Sequence, residues 1–138
     1  MIPNNISLDQ LNEFCRETAV SNLDIEFTAV GSDFIEAKMP VSAKTIQPFG
    51  LLHGGASVLL AETLGSIAAG LIVGPGKVPV GLEINANHIK SAKKGFVVGR
   101  ATPIHIGRST HLWEIRIHDE EHNLVTISKL TMAILDEK

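Results

Sequence analysis

The stretch Leu51-Leu52-His53-Gly54-Gly55-Ala56-Ser57-Val58-Leu59-Leu60-Ala61-Glu62-Thr63-Leu64-Gly65-Ser66-Ile67-Ala68-Ala69-Gly70-Leu71-Ile72-Val73 is the longest apolar run in the chain. Only His53, Glu62 and a few serine, threonine and glycine residues interrupt it. Its length would suit a membrane span. A carboxylate at the midpoint, the glycines and the lack of a basic flank argue against one. A helix that is apolar all round is otherwise a buried central helix. Gly74-Pro75-Gly76 ends it abruptly.

Outward from this helix, the remaining elements are short and easily bounded. Ser7-Leu8-Asp9-Gln10 reads as a capping box, with Ser7 as N-cap and Gln10 reaching back. Leu8, Leu11, Cys15 and Ala19 recur at helical spacing, which predicts an amphipathic helix to about Val20. Ile25–Val30 and Phe34–Met39 flank the turn residues Gly31-Ser32-Asp33 and read as a hairpin that Pro40 ends. After the long helix, Val78–Ile89, Phe96–Ile106, Thr110–His118 and Leu124–Leu135 are rich in Val, Ile and Thr. Trp113, Ile115 and Ile117 alternate with Glu114, Arg116 and His118, the pattern of a half-buried strand. Short connections imply antiparallel neighbours, so the class is α+β. One long helix wrapped by a strongly curved antiparallel sheet is the economical packing of these parts.

Composition bounds the function. At 138 residues the chain is expected to form one domain. A 44% hydrophobic content excludes disorder, and 12 basic against 15 acidic residues exclude a generic nucleic-acid binder. Charged residues make up 20%, below the roughly 25% of ordinary domains, which suggests surface hidden against other copies of the chain. Cys15 is the only cysteine and lies in a helical pattern, so it reads as a small hydrophobe. Met1–Asn5 lacks the basic and apolar regions of a signal peptide, and the cytoplasm is the expected location.

Three features carry chemistry. Glu62 sits among Val58, Leu59, Leu60, Ala61 and Leu64, with nothing basic within a helical turn. An unpaired carboxylate is expensive to keep in apolar company, which marks Glu62 as a candidate catalytic group. Ser66 lies four residues on, either within reach of that carboxylate or bonded to its own backbone. His53-Gly54-Gly55 stands at the helix start, where unpaired N–H groups and the positive dipole end suit a developing oxyanion. Two glycines also simply permit a tight helix entry. Between Glu83 and Glu114 there is no acidic residue, whereas Lys90, Lys93, Lys94, Arg100 and Arg108 all fall there. Two loops, Lys90–Gly95 and Gly107–Thr110, are thus expected to concentrate positive charge. The second offers a guanidinium and two hydroxyls to a phosphate. Nucleophile-elbow, phosphate-loop and metal-ligand signatures are lacking, so neither a metal nor a cofactor is expected.

The segments Gln47-Pro48-Phe49-Gly50-Leu51-Leu52-His53-Gly54-Gly55 through Glu62 and Gly81-Leu82-Glu83-Ile84-Asn85-Ala86-Asn87-His88 resemble the hotdog-fold acyl-CoA thioesterases. The likeness is to the phenylacetic-acid-pathway and 4-hydroxybenzoyl-CoA types, near the 1,4-dihydroxy-2-naphthoyl-CoA hydrolases and enterobactin proofreading thioesterases. It runs from the first helix to Leu135. The resemblance implies a long helix wrapped in a sheet, dimers paired sheet edge to edge and associating into tetramers, and active sites at the subunit interface. It implies that Glu62 is the catalytic carboxylate, as nucleophile or general base. The Gly54 N–H would polarise the thioester carbonyl with help from His53, while Gln47 and Ser66 position the carbonyl or the attacking water. Gly81, the segment His88, Ile89, Lys90 and Ser91, and the segment His105, Ile106, Gly107, Arg108, Ser109 and Thr110 would hold the coenzyme A arm. Coenzyme A then belongs to the substrate and no separate cofactor is implied. Two alternatives are a hotdog dehydratase and a non-catalytic acyl-CoA-binding module. The His53-Gly54-Gly55 context disfavours the first, and the lack of room for an output domain disfavours the second.

Overall fold

A computed structural model describes residues Met1–Lys138. Six strands form one antiparallel sheet in the order β1-β2-β4-β5-β6-β3. They are β1 (Glu26–Val30), β2 (Ile35–Pro40), β3 (Lys77–His88), β4 (Phe96–Ile106), β5 (Thr110–His118) and β6 (Leu124–Asp136). The helices are α1 (Leu8–Phe14), α2 (Ala19–Asn22) and α3 (Gly54–Val73). The predicted strands are all present, each within two residues of its expected ends.

The first helix is not continuous. Ser7 accepts from the Gln10 amide, but the helix closes at Cys15 and Glu17 adopts a left-handed backbone, φ 58°. Thr18 and Ser21 then form a capping box of their own and start α2. The helical spacing of Cys15 and Ala19 survives because both segments lean on one core. Cys15 is buried there, and burial pushes its thiol up, as suits a packing residue.

One face of α3 lies in the concave side of the sheet. Ala56, Ser57, Leu60, Ala61, Leu64, Gly65, Ala68 and Ala69 are buried. Small residues allow this close approach: a Cβ on Gly65 would stand 2.5 Å from Leu130, and one on Gly99 of β4 would stand 2.7 Å from Leu64. The opposite face, with Leu59, Glu62, Thr63, Ser66 and Ile67, is only half-covered. By length and hydropathy α3 would suffice to cross a membrane, but here its buried face is the centre of the core.

Consecutive β3 and β4 are not neighbours. β3 crosses to the far edge and pairs with β6 from Lys77↔Asp136 to His88↔Thr126, while β4 pairs with β2. The other side of β3 is a free edge of twelve residues, with Val78, Val80 and Leu82 exposed on it. A long apolar edge of this kind invites another strand.

His111, on the inward phase of β5, is 1% exposed, and its Nδ1 has no hydrogen-bond partner. Burial pushes this imidazole below the ordinary 6.5, with His105 and the amino terminus adding to the effect. The native state therefore refuses a proton that the unfolded chain takes up below that value. Stability from this group is present above pH 6.5 and is lost as the pH falls, by up to about 1.4 kcal/mol per pH unit. His111→Leu is expected to flatten the decline between pH 7 and 5, read from urea-unfolding midpoints; parallel wild-type and variant profiles would refute it.

Candidate active site

The start of α3 is pinned from both sides. The His53 amide donates to the Thr45 carbonyl at 2.8 Å, and the Leu52 amide to the Ala92 carbonyl at 2.8 Å. Thr45 is itself buried, its hydroxyl donating to the Pro40 carbonyl at 2.8 Å. His53 is the N-cap, and its Nδ1 accepts from the Gly55 amide at 2.8 Å. The Ala56 and Ser57 amides donate to the His53 carbonyl. That leaves Gly54, whose amide makes no turn, cap or side-chain hydrogen bond. One free donor stands at the positive end of a twenty-residue helix.

Gln47 completes this end. Its side-chain oxygen accepts from the Phe49 amide at 2.5 Å and from the Leu51 amide at 3.4 Å. The oxygen holds the loop, and the NH2 group makes no hydrogen bond within the chain. Gln47, Gly54 and Ser57 line one hollow with His88, Ile89, Lys90 and Ser91. The motif residues and the first coenzyme A segment implied by the resemblance therefore meet in space.

Glu62 is elsewhere. It lies eight residues along α3 from Gly54, about 12 Å up the axis and turned about 80° around it. Glu62 is half-buried and without an ion-pair partner, on a helix face that partly meets solvent. It lies against Gly81 of β3, where an added Cβ would stand 2.7 Å from Oε1. Thr63, Ser66, Leu59, Ile67 and Val20 share its hollow, of about 310 Å³. Through Ser66 and Ile67 this hollow adjoins a second, of about 450 Å³, walled by Leu11, Phe14, Gly70, Leu71 and Pro79. Ser66 does not bond the carboxylate: its hydroxyl reaches Met132 Sδ at 3.8 Å.

The segments expected to hold coenzyme A are also divided. Gly81 stands beside Glu62, seven residues along β3 from His88, or roughly 23 Å. The hairpin from His105 to Thr110 lies at the Gly81 end of the sheet, since Thr110 and Val80 both oppose Ala133. His105 folds over Gly107 in the tip of this turn, and Arg108 has no ion-pair partner.

The expected concentration of positive charge is a property of the sequence rather than of the surface. The Lys90–Gly95 loop shares a hollow with the acidic turn Asp119, Glu120 and Glu121. Lys90 is 3.8 Å from Asp119, and Arg100 pairs with Glu36. The Asn123 amide, helped by its side chain, the Glu121 amide and Lys90, holds the Asp119 carboxyl below the usual carboxylate range. Of the basic residues in that stretch, Arg108 is the one with neither an ion pair nor an acidic turn beside it.

Ser57 and Thr126 escape a reading by motif. Both are buried at this end, Ser57 in the hollow and Thr126 beneath His88. The available signal was phase: Thr126 and Ser128 are polar on the inward phase that continues with Leu130, Met132 and Ile134.

Against known proteins, residues 49–126 match the family model described as Thioesterase superfamily. The chain is 50% identical over 130 residues to a 1,4-dihydroxy-2-naphthoyl-CoA hydrolase from Escherichia coli, covering 94% of this chain and 96% of that one. It is 46% identical over 131 residues to a proofreading thioesterase from Cronobacter turicensis, covering 95% and 96% of the two chains. A solved thioesterase from Haemophilus influenzae superposes with a TM-score of 0.95 at 49% identity, covering 98% and 94%. The chain belongs to the thioesterase superfamily and has its hotdog fold. It is an enzyme that hydrolyses thioesters.

Gly81→Ala tests the placing of Glu62, because the new methyl must displace the carboxylate. We expect kcat for thiol release to fall about tenfold or more while the unfolding temperature moves by a few degrees at most. Unchanged turnover would mean that this position of Glu62 is not the reactive one.

Proposed function

We propose that the chain hydrolyses an acyl-coenzyme A thioester at a site built from two copies of itself. The observation that carries this reading is the separation of the two halves along one open edge. Glu62 stands at Gly81 and the free Gly54 amide stands beside His88, seven residues apart along β3. Two such edges pairing antiparallel about a twofold axis between Ile84 and Asn85 set Gly81 of each chain opposite His88 of the other. Each Glu62 then faces the other chain's helix start. The same register sets Val80 against the second chain's Ile89. The hairpin carrying Arg108, level with Val80, thereby comes to within about 15 Å of the His88–Ser91 segment. Low charge and an apolar free edge support the pairing, and further association of dimers into tetramers fits the family.

In this arrangement the thioester carbonyl accepts from the Gly54 amide and the Gln47 NH2. Both are in place before substrate arrives, so they stabilise the developing oxyanion without reorganisation. His53 presents its Nε2 toward the substrate, because Nδ1 is held by the Gly55 amide. Glu62 attacks the carbonyl or takes the proton of an attacking water. Thiolate leaves readily, so a Ser-His-Asp triad is unnecessary. The apolar hollows beside Glu62 suit an aromatic or medium-length acyl group, in keeping with the naphthoyl-CoA hydrolase among the relatives. Arg108, unpaired, serves a phosphate of the coenzyme A arm, and the cytoplasm is the setting in which such a substrate is met.

Glu62→Gln is expected to lower kcat by several orders of magnitude with little change in KM. Gly54→Pro removes the amide donor at a helix position that accepts proline, and its ring also nudges His88 aside. Mixed and refolded together, the two inactive variants should recover about a quarter of wild-type activity, since half the dimers are hybrids with one intact site. Recovery of nothing would place both groups in one chain's site. Arg108→Gln should raise KM for acyl-CoA esters and spare short thioesters that lack the nucleotide; equal losses on both would remove the phosphate role.

A further inference from the structure

His88 ends β3 directly opposite Thr126 of β6. The rung beyond is closed by the Ile89 amide donating to the Val125 carbonyl at 2.8 Å. Thr126 is fully buried, and its Oγ1 lies 3.2 Å from His88 Nδ1. That hydroxyl makes no other hydrogen bond. If Nδ1 carried the proton, the Thr126 proton would be buried with no acceptor, which is costly. With Thr126 donating, Nδ1 accepts and both groups are satisfied. The imidazole proton then sits on Nε2.

Nε2 is the ring atom that faces the helix start. A Cβ on Gly54 would lie 2.8 Å from it. A carbonyl oxygen that accepts from the Gly54 amide is therefore within reach of the Nε2 proton as well. We propose that Thr126 is a positioning residue that fixes the His88 tautomer and ring, so that His88 Nε2–H becomes a third donor to the thioester carbonyl, beside the Gly54 amide and the Gln47 NH2. This moves His88 from the coenzyme A arm to the reacting carbonyl. It rests on the thioesterase reading above for its consequence in turnover, but not for the tautomer.

The tautomer is read directly in the wild-type protein by long-range proton–nitrogen correlation NMR, with His88→Gln identifying the ring signals. The expected result is a neutral ring protonated at Nε2, and an Nδ1-protonated ring overturns the proposal. Thr126→Val keeps the shape and deletes the donor. It is expected to shift His88 toward the Nδ1-protonated form and lower kcat for acyl-CoA about tenfold, with KM changed less than twofold and the far-ultraviolet dichroism retained. Thr126→Ser should restore both the tautomer and kcat. Wild-type kcat in the valine variant, or a loss that serine does not repair, overturns the role of Thr126. Failure of the wild-type chain to release thiol from any acyl-CoA would instead count against the proposed function, with the NMR result still deciding the tautomer.

Discussion

Everything in this fold depends on how closely α3 can lie against the sheet. Alanine, glycine and serine alternate with Leu60 and Leu64 on its buried face, and the contacts at Gly65–Leu130 and Gly99–Leu64 leave no room for a methyl group. Helix and sheet in close contact form a rigid unit, since packed interiors resist local adjustment. That rigidity is what the oxyanion donor proposed at Gly54 requires. The Gly54 amide points where it does because the helix behind it cannot rock and the loop before it is tied down at Thr45 and Ala92. Glu62 reaches the edge of the sheet because the same contact sets the rotation of the helix.

The burial of one helix face leaves the other to function. Leu59, Thr63, Ser66, Ile67 and Gly70 form the wall of an apolar trough that starts at the carboxylate and runs toward Phe14. A helix hydrophobic all round thus meets two environments, the core on one side and half-open hollows on the other. Its uniform hydropathy conceals that division, so the sequence alone does not decide whether Glu62 is enclosed or faces water.

The strands, the long helix and its N-cap were legible because each has a local cause: β-branched runs between turns, an apolar run ended by Gly74-Pro75-Gly76, and unpaired donors after His53. The break between α1 and α2 also had a local signal, the Thr18–Ser21 capping box, but the helical spacing of Cys15 and Ala19 masked it. What could not be read was anything set by crossing elements. β3 departs to the far edge, so strands joined by a short loop are not partners. The acidic turn from Asp119 returns to the lysine loop from thirty residues away and cancels the charge that a linear count assigns to it. The family motifs named Gln47, His53, Gly54 and Glu62 together, although the chain holds them in two separate places.

The free edge of β3 gives this architecture a further consequence. Gly81 backs the carboxylate, His88 backs the helix start, and the seam between them exposes Leu82 together with Glu83, Asn85 and Asn87. In the proposed pairing one twelve-residue strand carries adhesion, alignment and reactivity together, and a substitution there that alters assembly also resets the distance between reacting groups. In the same arrangement the trough at Leu59, Ile67 and Phe14 answers to core packing and to the acyl group, whereas the seam answers to assembly and reactivity at once.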